Sequence, residues 1–159
     1  MRTIEQSVDI DAPISKVWKI LTTPRLIRRW ASAFLPGICA ESDWKAGGEL
    51  LWRKQDGTLA QRGVIVAIEP ACLLKVAFPP EINDEVPEPD TEFVETFSLT
   101  ATDEGARLSV VCGPLHLVDL DSLDPKWAQA LSTIKALAEN GRPAGRRGRQ
   151  APAYSSTAP

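Results

Sequence analysis

The stretch Ile10-Asp11-Ala12-Pro13-Ile14-Ser15-Lys16-Val17-Trp18-Lys19-Ile20-Leu21-Thr22-Thr23-Pro24, with Trp30 and then Gly47-Gly48 after it, decides the fold. Upstream, Ile4, Val8 and Ile10 alternate with Glu5, Ser7 and Asp9, the period of two that marks a half-buried strand. Gln6 is the polar exception on the apolar face, placed to hydrogen-bond either a ligand or a neighbouring backbone group. Asp11 can cap a helix with Pro13 in its first turn, after which Val17, Trp18 and Leu21 form an inward stripe. Thr23-Pro24 repeats the start signal, and a second short helix carries Leu26, Ile27 and Trp30. A strand therefore runs into a bent pair of helices and out again into a sheet.

Beyond an irregular segment at 36–47, the runs Glu49 to Arg53, Gly63 to Ile68 and Leu73 to Phe78 read as short strands. They are separated by Gln55-Asp56-Gly57 and Glu69-Pro70, and Asp-Gly between such runs is a strong hairpin signal. The acid- and proline-rich stretch from Pro79 to Asp90 reads as a long exposed connection. Strands at Glu92 to Thr102 and Ala106 to Cys112 follow, joined at Asp103-Glu104-Gly105. Asp124-Pro125 then repeats the cap-and-proline start, and Asn140-Gly141 reads as a stop. Between them Trp127, Ala130, Leu131, Ile134, Leu137 and Ala138 recur at spacings of three and four, giving a helix about 25 Å long. The expected class is α+β, with this helix covering a curved antiparallel sheet.

Composition narrows the chemistry. A domain of this length buries roughly 70% of its unfolded surface and needs no staples. Cys39, Cys72 and Cys112 are odd in number and widely spaced, which suggests neither a disulfide framework nor a zinc site, and a reducing cytoplasm is the natural compartment. No signal peptide is expected from the polar N-terminus, and no stretch approaches a membrane span. The net charge of −3 conceals four arginines at 142, 146, 147 and 149, which leave −7 on residues 1–140. Nucleic acid is a poor match for so acidic a body. The Arg/Gly/Pro-rich tail, 141–159, is expected to be disordered, with 1–140 forming the domain.

Taken in order, Ile10-x-Ala12-Pro13, Val17-Trp18, Leu21-Thr22-x-Pro24, Trp30, Trp44-x-x-Gly47-Gly48, Trp52, Asp56-Gly57, Gly63 and Ile68-x-Pro70 resemble one family. It is the family of the C-terminal domain of the activator of the Hsp90 ATPase, within the START/Bet v 1-like (SRPBCC) helix-grip superfamily. The resemblance spans residues 3–140. It implies a six-stranded antiparallel sheet gripping the long C-terminal helix, a cavity between them, and two short helices between the first two strands. Relatives bind lipids, sterols, polyketides or plant hormones, and some cyclise or dehydrate polyketides. The co-chaperone's separate N-terminal domain has no counterpart here, so ATPase stimulation is not expected to carry over. Asp124-Pro125-Lys126-Trp127 also stands where relatives often have glycine before the tryptophan.

Glu95 is the most informative candidate, because it shares strand parity with the apolar Phe93, Phe97 and Leu99. A carboxylate pointing into a cavity would have its pKa raised by burial unless Arg53 or Arg62 paired with it. The alternative is a bulge or an edge where it reaches solvent. His116, the only histidine, is a weaker catalytic candidate with no nucleophile motif beside it. Trp18 and Trp30 read as packing anchors, whereas Trp52 and Trp127 could be core or pocket. The expected ligand-binding set is Trp52, Phe93, Glu95, Phe97, Val110, Trp127, Leu131 and Ile134. No phosphate-binding loop, dinucleotide fingerprint, H-E-x-x-H or G-x-S-x-G is present, and no metal or cofactor is expected. The leading expectation is a protein that binds a small hydrophobic or amphipathic molecule. A polyketide cyclase or hydratase using Glu95 and an Hsp90-type chaperone interaction are the alternatives, and exposed sheet edges leave room for a homodimer.

Overall fold

The computed structural model describes residues 2–79 and 92–140; the acidic connection and the arginine-rich tail lie outside the described residues. Ten elements follow one another: β1 (Arg2–Ile10), α1 (Ile14–Thr22), α2 (Pro24–Ala31), β2 (Cys39–Ser42), β3 (Glu49–Arg53), β4 (Leu59–Glu69), β5 (Leu73–Phe78), β6 (Phe93–Thr102), β7 (Gly105–Leu115) and α3 (Leu117–Glu139). The seven strands form one antiparallel sheet in the order β1-β7-β6-β5-β4-β3-β2. Each strand after β2 is laid beside its predecessor, and β7 closes back onto β1.

The sheet has seven strands where six were expected. The addition is β2, inside the segment read as irregular, and with Ala40 its only buried residue it is too short to display an alternation. The turn at Asp56-Gly57 forms as its sequence indicates: Gly57 takes a φ of +90° and Asp56 Oδ1 accepts from the Thr58 amide at 2.9 Å. Gly63 serves a different need, since a Cβ there would stand 2.7 Å from the Phe78 ring.

Two helix starts also differ from expectation. Pro13, not Asp11, occupies the cap position of α1, and the Asp11 amide instead donates to the Glu139 carboxylate at 2.9 Å. The last helix begins at Leu117 and runs straight through Asp124-Pro125. A proline inside a helix removes one backbone hydrogen bond, and that cost made the dipeptide look like a beginning. At this point Gln6 on β1 donates to the Asp124 carbonyl at 2.8 Å and to its carboxylate at 2.6 Å, tying the helix to the sheet beside the proline. Gln6 therefore bonds a neighbouring element. No helix among the described residues is long and apolar enough to cross a membrane.

Helix α3 buries Trp127, Ala130, Leu131, Ile134 and Ala138 in the same core as Ile4, Val76, Phe97, Leu99, Leu108 and Val110 from the strands. Helices α1 and α2 add Val17, Ile20, Leu21, Ile27 and Trp30. Trp30 is fixed by donating its indole N–H to the Ile20 carbonyl at 3.0 Å, so the two short helices are pinned to each other by a buried bond. Replacing fully buried Ile134 with alanine should cost about 2–5 kcal/mol by lost transfer energy and cavity formation. Leu59→Ala, at a side chain 43% exposed, should stay within about 0.5 kcal/mol. Urea midpoints for the two variants check both values.

Candidate functional site

The C-terminal half of α3 lies in the core, but its N-terminal half stands over a cavity of about 430 Å³. Trp30 and Ala31 of α2, with Phe34 and Ile38 beyond it, form one wall. Trp52 of β3, Gln61 of β4, Phe93 and Glu95 of β6 and Leu115 of β7 supply the sheet side. Asp119, Ser122, Leu123 and Trp127 of α3 complete the lining. Gln61, Asp119 and Ser122 are exposed and mark the rim, whereas Trp30, Ala31 and Trp127 are buried and lie deepest.

Four residues anticipated as ligand-binding, Trp52, Phe93, Glu95 and Trp127, are on this lining. Phe97, Val110, Leu131 and Ile134 are not: they face the same side of the sheet or the same stripe of the helix, but packed helix and strand cover them completely. His116 is exposed at the residue before α3 and is not a lining residue. Trp30, read as a packing anchor, does both jobs, since it is buried at 4% exposure and also forms part of the wall. Phe34, Asp119 and Ser122 carried no signal in the sequence, because the first lies past the end of α2 and the others in a turn of α3 hidden behind Pro125.

The aromatic walls are mutually braced. Trp30 meets Trp52 edge to face at 6.4 Å and Phe97 at 6.2 Å; Trp127 meets Phe97 at 5.7 Å and Phe34 at 4.8 Å. Such perpendicular pairs are favourable beyond their buried area.

Glu95 lies opposite Val76 of β5 and Cys112 of β7 in unbroken register, with no bulge. Its side chain is partly open to the cavity yet enclosed by protein, and burial pushes its carboxyl from 4.5 up to about 8. Among the described residues no arginine relieves it. Arg53 pairs with Glu41 at 2.9 Å and Arg62 with Glu49 at 3.2 Å, both on exposed surface. Cys112 is buried beside it, and its thiol is pushed up to about 12, first by burial and then by the Glu95 charge, against a smaller opposing contact from the Trp127 indole. A thiol held neutral in this way packs as a small hydrophobe. Among the described residues no cluster of three or more His, Cys, Asp or Glu is arranged to hold a metal ion.

An antiparallel sheet folded around a long C-terminal helix, with two short helices after the first strand and a cavity under the helix, defines a helix-grip protein. More particularly, the chain belongs to the family of activator of Hsp90 ATPase homolog 1-like proteins, whose family model matches residues 11–139. Solved structures agree on the fold. A protein from Mesorhizobium loti, MLL2253, is 21% identical and superposes with a TM-score of 0.72 over 89% of this chain and 100% of its own. The Aha1 dimer from Colwellia psychrerythraea is 16% identical with a TM-score of 0.70, covering 90% and 100% of the two chains. A protein from Cytophaga hutchinsonii is 23% identical with a TM-score of 0.69, covering 88% and 95%. A search of curated proteins gave no significant match.

The raised carboxyl has a definite signature in stability. Between about 4.5 and about 8 the folded chain holds a proton on Glu95 that the unfolded chain has released, so this residue makes stability fall as pH rises through that window. The contribution is on the order of a few kcal/mol. In urea titrations, Glu95→Gln should gain on the wild type progressively from acid to mildly alkaline pH. A constant difference across the window would show that Glu95 titrates normally.

Proposed function

We propose that the chain binds a small apolar or amphipathic molecule in the cavity between the sheet and the N-terminal half of α3. The observation that carries this reading is the cavity itself: about 430 Å³, walled by Trp30, Phe34, Trp52, Phe93 and Trp127, with one enclosed carboxyl. Ligand sites are typically concave, mostly apolar and furnished with a few convergent polar groups, and the volume is in the range that takes a small organic molecule. The braced rings support a site formed before the ligand arrives.

Glu95 favours a second reading. A carboxyl pushed up to about 8 is mostly protonated at neutral pH and can serve as a general acid, as a polyketide cyclase or hydratase would need. Loss of turnover in Glu95→Gln with binding retained would select that reading over binding alone. For assembly, the outer strands β1 and β2 carry the two sheet edges, where a second copy could pair. The Colwellia relative, described as a dimer, supports this.

Native mass spectrometry and thermal shift against mixtures of lipids and aromatic metabolites test the binding reading, with quenching of tryptophan fluorescence as the local readout. Ser122→Trp places a large ring at the exposed rim without disturbing the core. It should weaken any hit by about tenfold or more, roughly 1.4 kcal/mol, with an unchanged melting temperature. A hit that binds the variant as well as the wild type would sit elsewhere on the protein.

A further inference from the structure

The cavity lining is charged in one sense only. Among the described residues its ionisable members are Glu95 inside and Asp119 at the rim, and they include no lysine, arginine or histidine. Around Glu95, β7 presents Cys112, β5 presents Val76, α2 presents Trp30, and β3 and β4 present Trp52 and Gln61. Helix α3 presents Trp127 and Asp119, while Asp124, held by Gln6 of β1, acts on the neighbouring Cys112 and is not on the lining. Among the described residues, no hydrogen-bond donor or cation reaches the Glu95 carboxyl, and its titration is governed by burial alone.

Two independent features follow from this lining. An enclosed carboxyl without a partner is costly and is relieved by a group that brings a positive charge or a donor. Aromatic faces carry the negative part of the ring quadrupole and attract cations, most strongly at tryptophan; the cavity is lined by Trp30 and Trp127, both largely buried, and by the more open Trp52. Neither feature supplies an acidic ligand with a positive partner: the ring faces disfavour an anion, and Glu95 becomes repulsive to one as it ionises towards pH 8. A fatty acid or other organic anion would bring its carboxylate to a site with two acids and, among the described residues, no counter-charge.

We propose that the molecule taken up by this cavity is an apolar organic cation, an arylalkylamine or a compound of that class, whose ammonium pairs with Glu95 among the aromatic side chains. The inference rests on the binding reading above and specifies its ligand class. The proton balance is fixed by the pairing. Glu95 holds a proton at neutral pH in the free protein, and forming the ion pair releases one proton to solvent for each cation bound. Amine affinity therefore rises with pH, up to tenfold for each pH unit, until the free carboxyl is ionised near pH 8.

Three probes of nearly equal shape test this: 2-(1-naphthyl)ethylamine, 2-(1-naphthyl)ethanol and 1-naphthylacetic acid, titrated calorimetrically and by tryptophan fluorescence. The amine should bind about tenfold or more tighter than the alcohol at neutral pH, with the acid weakest. Amine affinity should climb from about pH 6 to about pH 8 while that of the alcohol stays flat. In Glu95→Gln the amine should lose its advantage over the alcohol, measured on the same variant, and lose its pH dependence. Should that variant not fold, the two wild-type pH profiles decide alone. Equal binding of amine and alcohol, or preference for the acid, overturns the cation assignment and leaves the cavity as a small-molecule site. Failure of all three probes to bind counts against both.

Discussion

The edge-to-face packing of Trp127 against Phe97 and Phe34 is the contact on which the rest of the architecture turns. It sits where α3 changes character. C-terminal to it, Ala130, Leu131, Ile134 and Ala138 are small or branched and let the helix settle onto the sheet. N-terminal to it, Asp119, Ser122 and Leu123 look across open space. A large ring held at 62° to its neighbour cannot flatten into a close stack without giving up that perpendicular contact, so the helix is propped at this point. The cavity is the wedge that remains. Trp30 extends the same bracing to Trp52, and its bond to the Ile20 carbonyl anchors the wall to α1.

A wedge of this kind needs the unsupported half of the helix to stay in place. Pro125 weakens the helix there, and the first turns of α3 carry Asp119 and Asp121 beside Leu120 and Leu123, which are only partly buried against the core. The Gln6 amide, bonded to both the carbonyl and the side chain of Asp124, ties the helix to β1 at the point where its own ladder is interrupted. The polar residue that breaks the apolar face of β1 is thus spent on positioning the roof of the cavity. Glu95 works in the opposite direction. Its enclosed carboxyl lowers stability at neutral pH and above, with no neighbouring cation among the described residues to offset it, the kind of local cost that proteins keep where a site requires it.

The sequence is most legible where a periodicity can be counted. Parity along β6 put Glu95 beside Phe93, Phe97 and Leu99, and in the structure all four face the same side of the sheet. The Asp56-Gly57 turn and the pair of short helices are equally plain, because local backbone chemistry sets them. Parity has no depth coordinate, however. Phe97 and Val110 share a face with Glu95, yet they lie where the helix covers the sheet, and only three-dimensional packing separates a covered position from an open one. The roof escaped for a different reason: with Asp119, Asp121 and Pro125 in it, the first part of α3 lacks the apolar stripe by which a helix is recognised, since a helix roofing a cavity has little core to face. Strand β2 is too short for any period to show.

The same distinction bears on how the family's fold relates to what its members bind. Relatives that superpose over nearly the whole chain do so at 16–23% identity, so the backbone arrangement is set by patterning and turns that tolerate extensive substitution. Lining residues are under a looser constraint, because a side chain facing a cavity need not match the shape of a protein neighbour. Their charge and polarity can change while the fold stays fixed. In this chain the described lining combines tryptophans with acids and no base. On the proposed reading that balance, and not the helix-grip architecture shared with its relatives, would give the cavity its chemical preference.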